Sequence, residues 1–264
     1  MFSAPKIDAI LISLPARSRI VAKARIALRA LPLADAESSH FLAFLFRLSA
    51  IAWAAGKFFN EADTRLISPA FRDQAHTPQY ASVPAIEQAQ QFFRFIDGKG
   101  CRYACDRVAQ IAMAMAISAC EVALAADSHY ADDPTLPRSP IFLTPVSWEP
   151  AVDQIVKKIK QADVGRLKPD MDAEAFAAEP LWPNGAPEWA ETRWARFMAA
   201  LPANEGWDVW TAWYEGRLNG RVRDADVEFA FALVPMSLWG DDVAAEGNRW
   251  ILDALRENGN VTLT

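Results

Sequence analysis

The densest grouping of residues able to do chemistry is Asp127-Ser128-His129, with Asp132 and Asp133 just beyond. An imidazole beside carboxylates at a helix end can hold a divalent ion or serve as an acid–base pair. Asp, Ser and His are equally common at an exposed helix terminus, so no metal is expected at Asp127, His129, Asp132 and Asp133. Cys101 and Cys105 stand four apart, on one face of a helix. A zinc site needs two further ligands, and Cys120 lies too far along the same helix to be one; buried, inert thiols are expected. His40 and His76 are isolated. Gly98-Lys99-Gly100 lacks the surroundings of a phosphate-cradling loop, and neither G-x-S-x-G nor H-E-x-x-H occurs. No catalytic residue is assigned, and no cofactor is expected.

Recognition chemistry is richer than catalytic chemistry here. Eight of the ten tryptophans fall between Trp182 and Trp250. On a helix from Trp207 to Leu218, the residues Trp210, Trp213, Tyr214 and Arg217 occupy i, i+3, i+4 and i+7 and share one face. Large rings with polar handles, joined by a guanidinium, build cores, anchor interfaces, or wall a cage around a flat or cationic ligand. The reading adopted places Trp210 and Trp213 in the core. Tyr214 and Arg217 then stand at an accessible rim, with Asp208 and Glu215 as neighbouring polar groups.

These residues must be positioned by helices. Arg17–Leu31 carries Ile20, Ala24, Ala27, Leu28 and Leu31 on one stripe and is ended by Pro32. His40–Phe59 is apolar on nearly every side, the pattern of a central core helix. Pro84 starts a helix through Phe95, and Arg102–Asp127 is the longest, its alanines at helical spacing suited to close packing. Further helices are predicted over Ala151–Ala162, Asp172–Glu179, from Pro187 to about Leu201, Trp207–Leu218, Ala225–Leu233 and Ala244–Glu257. Asn219-Gly220 supplies a glycine stop. No segment alternates with period two for long enough to be a strand. The class is all-α: a multi-helix bundle of two packed helical units. The units span 1–130 and 151–264, joined by 131–150, where prolines at 134, 137, 140, 145 and 150 forbid a helix.

Composition narrows the function classes. The 264 residues are 52% hydrophobic and 23% charged, an ordinary globular balance. The net charge of −6 argues against nucleic-acid binding through bulk charge. Three cysteines build no disulfide framework. The apolar run Ala9 to Leu14 is too short for a signal segment. The runs Phe41–Ala55 and Val108–Ala126 are interrupted by charged or polar residues and read as buried helices, not spans. A soluble, cytoplasmic protein with no membrane and no nucleic-acid partner is expected. Residues 1–60 hold 8 Lys/Arg against 3 Asp/Glu, whereas residues 131–264 hold 13 against 22. The basic helix carrying Arg17, Arg19, Lys23, Arg25 and Arg29 is therefore expected to pair with C-terminal carboxylates, in exposed pairs of about 0–1 kcal/mol each.

The string P-L-W-P-x-G-x-P-x-W (Pro180 to Trp189) is followed by W-x-x-W-x-x-W-Y-x-x-R-L-x-G (Trp207 to Gly220) and L-x-P-x-x-x-W (Leu233 to Trp239). With A-L-R-A-L-P at Ala27 to Pro32, these motifs resemble a group of uncharacterised Ala- and Trp-rich helical bacterial proteins. The resemblance implies a bacterial, cytoplasmic protein whose C-terminal part behaves as a module, and it implies no activity. The expected function is a non-catalytic interaction or regulatory module that binds a protein partner or itself through the Trp-rich unit. The alternative is a small-ligand binder or enzyme with a pocket between the two helical units.

Overall fold

The computed structural model describes residues 4–34, 39–58, 105–117, 119, 150–221, 224–235, 238 and 244–257. Among these residues every regular element is helical and no strand occurs, as the periodicity predicts. In chain order the helices are α1 (Ala4–Ser13), α2 (Ala16–Ala30), α3 (Ser39–Lys57) and α4, which includes 105–117. They continue as α5 (Pro150–Gln161), α6 (Ala173–Ala178), α7 (Glu188–Ala200), α8 (Asp208–Leu218), α9 (Ala225–Ala232) and α10 (Ala244–Glu257). None of the described helices is long and apolar enough to cross a membrane. The connector before Pro150, the helix predicted from Pro84 and the cluster Asp127, His129, Asp132 and Asp133 lie outside the described residues. So do His76, Cys101 and Cys120; Cys105 is buried.

The centre of the fold is α3, and its sequence explains why. A helix apolar on all sides has to be covered on all sides, and residues 42–57 are buried without exception. It packs against α2, α6, α9 and α10. Small residues set the approach to α2: a Cβ at Gly56 would stand 2.6 Å from Val21 Cγ2. Phe46 gathers the aromatic residues of the C-terminal part. Its ring centroid lies 5.1 Å from Trp210, 6.0 Å from Phe197, 6.2 Å from Trp207 and 6.5 Å from Trp213. Helices from before residue 60 and from after residue 149 thus feed one buried apolar cluster.

Local signals account for most helix ends. Pro32 sits in a short 3-10 turn, Leu31–Leu33, directly after α2. Asp172 caps α6 by accepting from the backbone N–H groups of Glu174 (2.9 Å) and Ala175 (3.3 Å), and Asp224 caps α9 through Val227 N–H at 2.9 Å. Helix α1 has no counterpart in the sequence reading. Its ten residues carry Pro5 in the first turn, and the period rests on Ile7 and Leu11, which are buried.

Helix α8 ends as its Asn-Gly pair predicts. Gly220 has φ +64°, Arg221 N–H donates to Gly216 O at 2.8 Å, and Gly220 N–H donates to Arg217 O at 3.3 Å. This is the paired-bond stop that a left-handed glycine makes available. Glycine is required here for space as well: a Cβ would meet Pro180 Cδ at 2.8 Å and Ala178 O at 2.9 Å. Gly220→Ala is expected to cost more than the ~1–2 kcal/mol of the left-handed conformation alone, because the 178–180 segment must also move. Chemical denaturation measures this, and a loss below about 0.5 kcal/mol would refute the argument.

Candidate functional site

The predicted recognition face is in the structure, but it is core along its whole length. Trp210 and Trp213 are 0% exposed, as expected. Tyr214 and Arg217, expected at an accessible rim, are each only 1% exposed, and this corrects the sequence reading. The cause lies in the neighbouring helices. Arg217 meets the buried carboxylate of Glu228 on α9, donates to Trp213 O at 3.3 Å, and lies 4.5 Å from the Trp213 ring centroid and 5.4 Å from that of Trp53. Lys57 Nζ at the end of α3 stands 3.7 Å from the other Glu228 oxygen. Burial lowers the Lys57 pKa, and Glu228 pulls it back up. Tyr214 is shifted upward by burial and stays a neutral phenol. Asp208 is exposed at the first turn of α8, and half-buried Glu215 accepts a long bond of 3.5 Å from Trp194 Nε1.

Most indole N–H groups in this layer have acceptors. Trp210 donates to Asn248 Oδ1 at 2.8 Å, Trp213 to Glu228 at 3.2 Å and Trp207 to Glu205 at 2.9 Å. Asn248 completes the link by donating to Glu205 O at 2.9 Å. Trp182 and Trp189 differ: their Nε1 atoms are covered and have no hydrogen-bond partner among the described residues. Such a covered donor costs about 1–3 kcal/mol.

Trp182 belongs to a segment held from both sides. On one side stand Arg25 and Arg29 of α2, both fully buried. Arg25 Nε donates to Asp163 at 2.9 Å, and its terminal nitrogens donate to the carbonyls of Phe176 (3.1 Å), Glu179 (2.8 Å) and Pro180 (2.6 Å). Arg29 pairs with Asp163 at 2.6 Å, donates to Leu181 O at 2.7 Å, and lies 5.3 Å from the Trp182 ring centroid. Burial pushes the Arg29 pKa down to about 10 against the pull of Asp163, which still leaves it charged at neutral pH. On the other side Leu181 N–H donates to Arg217 O at 3.1 Å, and Pro180 abuts Gly220. The basic helix therefore does reach C-terminal carboxylates: Asp163, and Glu174 through Arg17 at 3.0 Å. The decisive pairs are buried, not exposed as expected. Arg19 and Lys23 pair instead with Asp106 of α4, at 3.0 and 2.9 Å.

Between this clamped segment and helices α7 and α8 lies an open cavity of about 510 Å³. Trp182, Trp194 and Tyr214 give it aromatic walls, Ala190 leaves it its depth, and Glu191 and Met198 stand at its exposed edge. Trp194 and Tyr214 pack at 4.2 Å between centroids, and Trp182 meets Trp189 edge-on at 5.8 Å. Met198 is 38% exposed, one of two large apolar side chains that exposed among the described residues. The volume falls within the usual range for ligand sites.

Of the six candidates read from sequence, Tyr214 lines this cavity; Trp210, Trp213, Arg217, Asp208 and Glu215 do not. The cavity is lined by residues 180–219, within the C-terminal part. The signal for Trp182 was present in Pro180-Leu-Trp-Pro, an aromatic residue held between prolines. Ala190 and Ala195 give no signal, because an alanine that leaves a cavity and an alanine that fills a contact look alike in sequence. Compared with protein-family models, with curated proteins and with solved structures, the chain shows no match.

Proposed function

We propose that the chain is a non-catalytic binding module that takes its partner in the groove between residues 180–186, α7 and α8. The observation carrying this reading is the open cavity of about 510 Å³ with exposed Met198 and Glu191 at its edge. The groove edge presents Met198 and Glu191, and its wall is clamped by Arg25, Arg29 and Gly220, so the site is largely pre-formed. Pre-formed walls reduce the ordering cost of association. This moves the recognition surface from the face of α8 to the mouth beside it.

Ala190 is buried under the groove, and a larger side chain there fills it. A fragment screen by ligand-observed NMR should return aromatic fragments that bind the parent chain and are lost in Ala190→Trp, while circular dichroism shows the variant folded. Fragment binding that is indifferent to Ala190→Trp would reject the groove as the site.

A further inference from the structure

We propose that the outward surface of α1 and α5 docks the chain on an anionic lipid bilayer, Ile12 entering the interface and the α5 lysines meeting headgroups. The inference is independent of the groove reading, and two observations carry it. Ile12 is 75% exposed, against 38% for Met198, the other exposed large apolar side chain among the described residues. Around Ile12 the charge is reversed relative to the chain. Helix α1 packs against α5, and the two hold Lys6, Lys157, Lys158 and Lys160 against Asp8 and Asp153. Lys158 is exposed, Lys157 and Lys160 are half-buried, and none of the three has an ion pair among the described residues. Arg19 ties the end of α1 to α4, donating to Ile12 O at 3.4 Å, Leu14 O at 3.0 Å and Asp106 at 3.0 Å. Lys23 shares Asp106 at 2.9 Å, so that carboxylate is already matched by two cations, and exposed Arg107 beside it adds a third. In a chain of net charge −6, this surface holds seven cations against three carboxylates.

A bilayer carrying anionic lipid uses both features. Each lysine or arginine near such a surface strengthens binding by a factor of about five, and the attraction fades beyond a Debye length of about 8–10 Å. An isoleucine standing out from its helix adds to this by leaving water for the acyl boundary. Competing polyanions use less of what is present. Nucleic-acid phosphates or an acidic peptide would meet the lysines and leave Ile12 in water. None of the described helices is long and apolar enough to span a membrane, so the contact is peripheral. The expectation of no membrane partner rests on the lack of a span and on the internal pairing of α2, and neither bears on the outward side of α1 and α5. Arg25 and Arg29 are fully buried and take no part.

The test is co-sedimentation of the full chain with vesicles of two-to-one phosphatidylcholine–phosphatidylserine, beside vesicles of pure phosphatidylcholine. The chain should bind the mixed vesicles alone, and less as salt is raised. Lys157→Gln combined with Lys158→Gln removes two charges and should weaken binding about ten- to thirtyfold. Ile12→Ser should weaken it about three- to tenfold, the share of a partly buried isoleucine, and leave the salt dependence as it is. Circular dichroism checks that both variants are folded. No binding to the mixed vesicles overturns the proposal, and so does equal binding to pure phosphatidylcholine. A loss in the lysine variant with none in Ile12→Ser overturns it as well, since the surface then serves any polyanion. Binding indifferent to both variants places the contact elsewhere and is equally fatal. The groove reading is untouched by these outcomes, because Ala190→Trp tests it separately.

Discussion

An Arg25→Ala variant is expected to unfold at a free energy about 3–5 kcal/mol below that of the parent chain. The guanidinium is fully buried. Its removal leaves Asp163, itself buried, with less compensation for its charge. It also strips donors from the carbonyls of Phe176, Glu179 and Pro180. Those carbonyls close α6 and begin the segment that carries Trp182, so the groove wall should loosen along with the core. A domain holds only about 5–15 kcal/mol in total, so this one change removes a large share. The surface pair Arg256–Asp253, at 3.1 Å with both side chains more than half exposed, is the comparison. Arg256→Ala should change stability by no more than about 0.5–1 kcal/mol. Urea unfolding followed by circular dichroism separates the two, and an Arg25→Ala loss under 1 kcal/mol would show that the buried hub does not hold the halves together.

The same arginine shows where sequence reading stops. Periodicity located α2 and α3 to within two residues, because the apolar stripe and Pro32 are local facts. The charge asymmetry correctly pointed the basic helix toward C-terminal acids. It did not separate Arg25 from Arg19, since an arginine beside an apolar stripe is buried only if a distant chain segment brings acceptors. Here Asp163 lies 138 positions away. Tyr214 and Arg217 were misplaced for a related reason. A helical face read from i, i+3, i+4 and i+7 has a direction but no known width of cover, and Glu228 reads as an ordinary acidic residue in a first turn. Gly220 was legible because its demand is on its own backbone. The groove was not, because it is bounded by alanines and a proline-flanked loop whose position depends on α2.

Glu228 is expected to be the second large effect, and it decides what the Trp-rich helix is for. The carboxylate is 1% exposed and meets Arg217 and Lys57, both buried, as well as the indole N–H of Trp213. Glu228→Ala leaves two buried cations without the anion between them, and should cost about 3–5 kcal/mol. Arg217→Met should cost a similar amount, since it leaves the buried Glu228 with only Lys57 and the Trp213 N–H among its described partners. The double variant should be less damaged than the sum of the two, with a coupling of about 0.5–3 kcal/mol, because once one charge is gone the other is better removed than kept. An interface reading of Arg217 predicts the opposite pattern. The single Arg217 change would then keep its melting temperature, lose partner binding, and show no coupling to Glu228. The 1% exposure of Arg217 favours the first pattern, because a guanidinium enclosed between Trp53, Trp213 and Glu228 has no face left to offer. A folded Arg217→Met chain with unchanged stability would return α8 to the surface of the molecule. It would also remove the ground for placing recognition in the neighbouring groove.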